Sequence, residues 1–448
     1  VNEQEVIARL ERLPSTRWHV KMRVLFGVAT FFDSFDAVAI AFALPVLIRE
    51  WHIAPGQIGG LISIGYVGQM IGALFFGWLA ERIGRVKATR ITILIFGLMN
   101  LLCAVAQDYD QLFWFRFLQG LGLGGEVPIA AAYIAELAPS RRRGQFFLAY
   151  EVVFVFGIAA AAIVGAWIVP RYGWQVFFAI GGLPPLIVAV WQRICPESPR
   201  WLASKGRLTE AEAVLTEIEG EVVKSSGRDL PPVGPIIERP PSPPTHWQEL
   251  FKRPYLRRTL VVWVLWASTY MLSNGLYTWL PTLFSSVYKL SVQDSLNLNI
   301  LPTVMALAAA IMCIFVVDRL GRRPLMAMGL LGAAGCLLIL YGLGTSAVMN
   351  IIVLTSLVRF FNGIVSFSIY LYTPELYPTR MRALGTSWAS FWLRAASMTG
   401  PLLIAFIIPR MGIDGVFLVF GLIAALGGLT CLFAALETRS KTLEELAP

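Results

Sequence analysis

The sequence predicts an all-α integral membrane protein, twelve transmembrane helices arranged in two homologous six-helix halves. Three observations carry the prediction. Hydrophobic residues make up 56% of the 448-residue chain and charged residues only 15%, too apolar a balance for a soluble chain of this length. Twelve apolar stretches reach the ~20 residues that a helix needs to cross a bilayer. They lie near 23–49, 57–81, 89–106, 110–138, 144–169, 174–194, 258–285, 296–318, 324–343, 347–376, 382–409 and 414–436. Finally, the second half repeats the first at an offset of about 240 residues, which marks a duplicated fold.

The repeat is clearest in RFLQGLGLGGEVPIAAAYIAELAPSRRRG, Arg116 to Gly144, which returns as RFFNGIVSFSIYLYTPELYPTRMRALG, Arg359 to Gly385. Arg116 pairs with Arg359, Gly120 with Gly363, Glu136 with Glu375 and Arg143 with Arg382. GWLAERIGRVKA (Gly77 to Ala88) is echoed by VDRLGRRPL (Val317 to Leu325), which sets Glu81 against Asp318. PESPR, with Glu197, has a weaker echo in ETRSK, with Glu437. Five segments follow: an N-terminal amphipathic segment 1–22, the first half 23–194, a linker 195–257, the second half 258–437 and a tail 438–448.

A net charge of +9 invites a nucleic-acid reading, but its distribution argues otherwise. With both termini placed in the cytoplasm, 30 of the 37 Lys and Arg fall on the inner side. That is the positive-inside bias of a multi-pass protein of the cell membrane. Five cysteines are scattered without a CxxC pair, and the three histidines (His19, His52, His246) all lie outside the spans. This excludes a disulfide framework, a metal site and a histidine relay within the membrane. No Walker-type phosphate loop points to an ATP-driven pump. No nucleophile–base pair points to an enzyme, and no cofactor is implied.

Taken in order, EVIARLERL in residues 1–22 reads as an amphipathic helix at the cytoplasmic interface, with no cleavable signal sequence. Span 1 carries Asp33 and Asp36, three apart and so on one helix face. They sit roughly 15 Å from the inner end, where a carboxylate marks a cavity, a pathway or a partner. A buried neutral aspartate capping a neighbouring helix is the structural alternative. Span 2 carries Gly65, Gly68, Gly72 and Gly77, small residues suited to close helix packing. The loop after it places Glu81 against Arg82 and Arg85, a pairing that latches helix ends.

Span 4 holds Arg116 near its outer end, Glu126 near the middle and Glu136 at the inner exit. Arg116 and Glu126 are ten residues apart and need not face each other. Span 5 carries Glu151 in its inner third. The linker contains a polar amphipathic helix, Leu208 to Lys224, and a proline-rich stretch, Pro231 to Pro244. Span 7 presents Trp263, Trp266, Tyr270, Asn274 and Tyr277 as one stripe, either core packing or a binding wall. Asn274 aligns with Asp36 across the repeat. Gly275 and Pro281 allow the outer part of this span to bend.

Span 10 holds Arg359, Asn362, Tyr370 and Tyr372. Span 11 places Arg394 about twelve residues in, after Trp388, Phe391 and Trp392. An arginine at that depth needs water, a carboxylate or an anionic ligand. Guanidinium plus aromatic planes suits a flat carboxylate, gripped through two donors while rings hold its apolar body. An internal ion pair with Asp33, Asp36 or Glu126 is the alternative.

GWLAERIGRVKA resembles the loop 2–3 signature of the major facilitator superfamily, with Glu81 where Asp is commoner. The second copy keeps Asp318, Arg319, Arg322 and Arg323 but has Ile314 at the glycine position. RFLQGLGLGG resembles that superfamily's helix-4 motif, and PESPRWL its sugar-porter and organic-ion branches. The resemblance covers essentially the whole chain. It implies a cytoplasmic gating network of Glu81, Arg82, Arg85, Glu136, Arg143 and Glu197, with Asp318, Arg319, Arg322, Glu375, Arg382 and Glu437 in the second copy. It also implies that Arg116 supports a proton-coupling site, with Arg359 as its counterpart.

Four features (FDSFD, GLGGEVP, YTPELYPT and the span-11 arginine) resemble the bacterial niacin and aromatic-acid branch. That implies a proton-coupled secondary transporter of a small organic anion, working by alternating access as a monomer. Arg394, Asn274, Tyr270, Tyr277, Trp388, Trp392 and Tyr370 are the substrate-binding candidates, and Asp33, Asp36, Glu126 and Glu151 the coupling carboxylates. A sugar or polyol symporter is the main rival. The resemblance of PESPRWL supports it, but the sugar porters that the chain resembles read hydroxyls with glutamines in spans 5 and 7, and neither span has one in its central part here. A cationic substrate and a non-transporting sensor on the same scaffold are the others.

Overall fold

Every regular element among the described residues is helical. The computed structural model describes residues 2–137, 143–233, 246–253, 255–344 and 347–439, without the side chains of 143–151, 314, 318, 379, 380 and 383. The side chains of Arg143, Glu151 and Asp318 lie outside the described residues, as do most of the proline-rich stretch and of the tail 438–448.

The first half contains α1 (Glu3–Glu11), α2 (Arg17–Ala37), α3 (Ala39–Trp51), α4 (Pro55–Ile83), α5 (Arg85–Ala104), α6 (Tyr109–Leu137), α7 (Arg143–Tyr172) and α8 (Trp174–Trp191). The linker contains α9 (Pro199–Ser204) and α10 (Leu208–Ser226). The second half contains α11 (Tyr255–Tyr270), α12 (Tyr277–Ser286), α13 (Val292–Leu298), α14 (Ile300–Leu320), α15 (Arg322–Leu343), α16 (Val348–Glu375) and α17 (Thr379–Ala434).

Nine helical stretches among the described residues are long and apolar enough to cross a membrane. The twelve expected spans are recovered in three steps. Helix α6 is long enough at 29 residues, but Asp110, Arg116, Glu126 and Glu136 make it polar. Span 7 is interrupted between α11 and α12 by a wide π turn, Met271–Leu276, near the expected bend. Helix α17 contains two spans, separated where Gly412 leaves helical geometry. The same logic divides span 1: α2 and α3 are one stretch broken at Val38, two residues after Asp36.

Small residues set the packing. A Cβ on Gly72 would stand 2.1 Å from the Leu121 carbonyl oxygen, and one on Gly124 2.0 Å from that of Gln69. Helices α4 and α6 therefore touch backbone to backbone, a mode of association suited to lipid, where apolar side chains gain little by pairing. Gly124→Ala is expected to destabilise the detergent-solubilised protein by about 1–3 kcal/mol through overpacking. An unchanged unfolding temperature would contradict this contact.

Two turns repeat across the halves. Gly84 (φ 107°) separates α4 from α5, and Gly321 (φ 95°) separates α14 from α15. Each stops one helix and starts the next within a single residue, in backbone geometry that a side chain disfavours.

Helix α1 does not present its apolar face to a membrane surface, as its amphipathicity suggested. Val6 and Leu10 are buried with Leu215, Ile218 and Val222 of α10 and Trp201 of α9. Arg9 and Arg12 bind the two oxygens of Glu219 at 2.6 and 2.7 Å, and Arg200 binds Glu11 at 2.7 Å. Protein thus covers the face that lipid was expected to cover, and the sequence pattern alone cannot separate the two. Burial by itself would lift the Glu219 carboxyl, but hydrogen bonds from Arg9 and Arg12 outweigh it and hold the group below its ordinary value of 4.5. Its contribution is present above that value and is lost as pH falls through the lowered one. Hydrogen exchange in α1 is expected to stay slow at neutral pH and to accelerate below about pH 4.5. Exchange independent of pH, after correction for the intrinsic rate, would contradict the clasp.

Grouped by contact, the chain forms two compact units. Unit 1 comprises Val1–Ala39, Gly68–Ala161 and Gln175–Pro241; unit 2 comprises Ile40–Val67, Ala162–Trp174 and Ser242–Pro448. Unit 2 therefore includes α3, the start of α4 and the end of α7 with the second-half helices. Within it, Ser63 donates to the Met398 carbonyl at 2.6 Å and Gln293 to that of Ala166 at 2.8 Å. Gly59 lies against Pro401 and Ala405. Ser63 and Gly59 lie in the N-terminal part of α4, roughly 30–36 Å along the helix from its last residue, Ile83.

Candidate functional site

In unit 1 the polar interior is built from α2 and α6. Asp33 and Asp36 are both buried, as are Arg116 and Glu126. Arg116 approaches Asp36 at 3.9 Å and donates to Gln119 Oε1 at 2.6 Å. Asn100 and Gln119 also face the Asp36 carboxylate. Glu126 is held separately: Thr30, one and a half turns before Asp36, donates to it at 3.2 Å. The ten-residue spacing of Arg116 and Glu126 thus produces two distinct contacts with α2. A buried arginine–carboxylate pair is a switchable element. Protonating the acid removes the partner of the guanidinium, which must then find another or move.

In unit 2 the wide turn 271–276 organises the site. Asn274 donates to Ser397 Oγ at 2.7 Å. Ser397 is three residues beyond Arg394 on α17, so the two share a helix face. Arg394 is half-buried, and its Nη1 lies 3.4 Å from the Ser390 carbonyl one turn earlier. Gly275 and Gly400 let the backbones meet here: a Cβ on Gly275 would lie 3.1 Å from Gly400 Cα.

Aromatic rings from α11, α12, α16 and α17 make further contacts in this unit. Trp266 stacks on Tyr270 (centroids 5.5 Å apart) and meets Tyr370 edge-on at 4.8 Å. The Tyr270 and Tyr370 hydroxyls are 3.2 Å apart. Trp388 and Trp392 both lie on Trp263, at 5.6 and 5.5 Å. Tyr277 is buried, with Arg359 over its ring at 4.2 Å.

Each unit holds an arginine–glutamate network, and among the described residues the two share a helix-starting arginine, its glutamate partner and a glutamate that caps the helix. Arg85 bridges Glu81 (2.6 Å) and Glu136 (3.2 Å), while Arg322 binds Glu375 (3.1 Å). Glu197 accepts from the backbone N–H of Arg85 and Val86, and Glu437 from those of Arg322 and Arg323. Both glutamates cap the first turn of a helix just after the positive-φ glycine. Burial lifts the Glu197 carboxyl above its ordinary value against the pull of these N–H groups. Arg82 instead lies over Trp78 at 4.2 Å, Arg319 is exposed, and Arg382 donates to the Pro374 carbonyl.

Sequence reasoning missed Thr30, Asn100, Gln119 and Ser397, which no motif distinguishes from ordinary small polar residues. It also missed Tyr133, whose hydroxyl donates to the Pro196 carbonyl at 2.7 Å as that of Tyr372 does to the Leu436 carbonyl at 2.9 Å. Their separation equals the repeat offset, and that was the available signal.

Twelve spans, a duplicated arginine–glutamate network, buried charges on α2 and α6 and half-buried arginines on α16 and α17 define a membrane transporter of the duplicated six-helix class. Residues 31–448 match the sugar (and other) transporter family. The chain belongs to that family, within the major facilitator superfamily, and is a transporter rather than an enzyme. It is 33% identical over 446 residues to the niacin transporter NiaP of Acinetobacter baylyi, covering 99% of each chain. The 4-hydroxybenzoate transporter PcaK of the same organism is 28% identical, over 86% of this chain and 83% of that one. A gallate transporter of Pseudomonas putida is 27% identical, over 94% and 93%. Among solved structures, the xylose transporter XylE of E. coli in a partially occluded inward-open conformation aligns with a TM-score of 0.75 at 18% identity. The alignment covers 95% of this chain and 100% of that one.

Proposed function

We propose that this protein moves a small aromatic carboxylate, nicotinate foremost, across the cell membrane together with protons, by alternating access. Both termini lie in the cytoplasm in this reading, and the monomer is the working unit. The observation that carries it is Arg394, a half-buried guanidinium in the middle of an apolar span, on the helix face that Ser397 ties to Asn274. A carboxylate is the ligand group that a guanidinium binds through two parallel hydrogen bonds. The relatives named for niacin, 4-hydroxybenzoate and gallate handle molecules of one design, a flat ring bearing a carboxyl group. Tyr270 and Tyr370 supply ring faces and hydroxyls for such a molecule, with Trp388 and Trp392 as further aromatic surface. Asp36, beside Arg116, and Glu126 supply groups for a proton, with Asp33 and Glu151 as further candidates.

A sugar or polyol substrate is the second reading, favoured by the family description and by the XylE fold. The two separate in one experiment. The purified protein's unfolding temperature is measured with nicotinate, benzoate, glucose and xylose. A saturable rise with both acids and none with either sugar supports the aromatic-anion reading. A rise with a sugar alone overturns it.

A further inference from the structure

We propose that Arg359 and Tyr277 form a second anion-binding locus in unit 2, one that accepts a single negative charge as a carboxylate or a halide. The carboxylate form of this proposal rests on the function proposed above; the halide form does not.

The repeat provides the first argument. Arg116 and Arg359 occupy matching positions. In unit 1 Arg116 is met by Asp36 at 3.9 Å. In unit 2 the residue aligned with Asp36 is Asn274, whose amide is bonded to Ser397. The arginine is present in both copies and the carboxylate in only one. Arg359 lies eleven residues into α16, roughly 16 Å from its start and so deep in the span. A charge at that depth is costly unless something compensates it.

The local geometry provides the second. Among the described residues Arg359 makes no ion pair and no hydrogen bond; its guanidinium lies over the Tyr277 ring at 4.2 Å. A ring face attracts the charge but accepts none of the five N–H donors in the direction they point. Tyr277 is 7% exposed, and its hydroxyl has no hydrogen-bond partner among the described residues. Tyr66 and Tyr270 are within electrostatic reach of the same guanidinium. A cation and a buried phenol, adjacent and both lacking acceptors, are completed together by one anion. The wide turn 271–276, with Tyr270 before it and Tyr277 after it, frames the locus; such turns concentrate at functional sites.

The test uses the full chain, purified in detergent with chloride replaced by gluconate. Unfolding temperature is followed while nicotinate, benzoate or chloride is titrated, for the wild type, Arg359→Gln, Arg359→Lys, Tyr277→Phe and Arg394→Gln. At least one anion is expected to give a saturable rise. Its apparent affinity should fall about tenfold or more in Arg359→Gln, recover in part in Arg359→Lys, and weaken several-fold in Tyr277→Phe. Loss of the carboxylate response identifies the transported acid as the occupant; loss of the chloride response alone identifies a halide. Should Arg359→Gln fail to fold, Tyr277→Phe decides. Wild-type affinity for every anion in the folded variants overturns the locus, as does a wild type that responds to no anion. A response lost only in Arg394→Gln removes the second locus and leaves the proposed function standing. A response to sugar instead of carboxylate removes that function, while the chloride titration still decides the locus.

Discussion

Arg394→Ala is expected to abolish carboxylate binding while leaving the protein folded. The proposed clamp is a charge-assisted, two-donor contact deep in an apolar span. Removing one partner of such a contact costs about 2–5 kcal/mol, a loss in affinity of roughly 30-fold or more. The fold should tolerate the change, because Arg394 is half-buried and not part of a buried core. Arg394→Lys should recover only part of the affinity, since an ammonium keeps the charge and loses the planar fork. Titration of nicotinate against intrinsic tryptophan fluorescence measures this directly, with Trp388 and Trp392 six and two residues from the arginine. A folded Arg394→Ala variant that binds nicotinate normally would remove the clamp.

Asp36→Asn is the second large effect. Asp36 is fully buried and paired with Arg116, itself 3% exposed. The amide mimics a permanently protonated acid. Uptake driven by a proton gradient should therefore be lost, while exchange of substrate across the membrane at equal pH continues. Some stability should also go, because Arg116 keeps its charge in a buried setting with Gln119 as its remaining close partner. Breaking a buried pair costs about 3–5 kcal/mol when nothing replaces it; asparagine retains an acceptor, so the loss should be smaller. Counterflow measured beside gradient-driven accumulation separates the two effects. Accumulation at the wild-type level would assign coupling to another carboxylate, and Glu126→Gln is then the variant to make.

Much of this was legible before any coordinates, because the repeat does the work of an alignment. Matching Arg85 with Arg322, Glu136 with Glu375 and Glu197 with Glu437 singled out residues that the structure brings together at the starts of α5 and α15, while the side chain of Asp318 lies outside the described residues. Asn274 was picked out by its alignment with Asp36, and the structure places it in a wide turn just as Asp36 sits beside the break at Val38. What remained hidden was partner choice. Asp33 and Asp36 could be placed on one helix face, but that Arg116 selects Asp36 while Thr30 selects Glu126 depends on how α2 and α6 cross. That crossing is fixed by contacts between helices far apart in the chain, which no sequence window contains. Helix α1 was misread for a related reason. An amphipathic face records that something apolar covers it, and lipid and α10 leave the same pattern.

The most direct test of the central claim is uptake of labelled nicotinate into proteoliposomes, with and without an inward proton gradient, and with benzoate or glucose as competitor. The account predicts saturable uptake that the gradient drives above equilibrium, that benzoate blocks and that glucose leaves unchanged. Protein that is folded and carries a sugar, but moves no nicotinate under either condition, would contradict it.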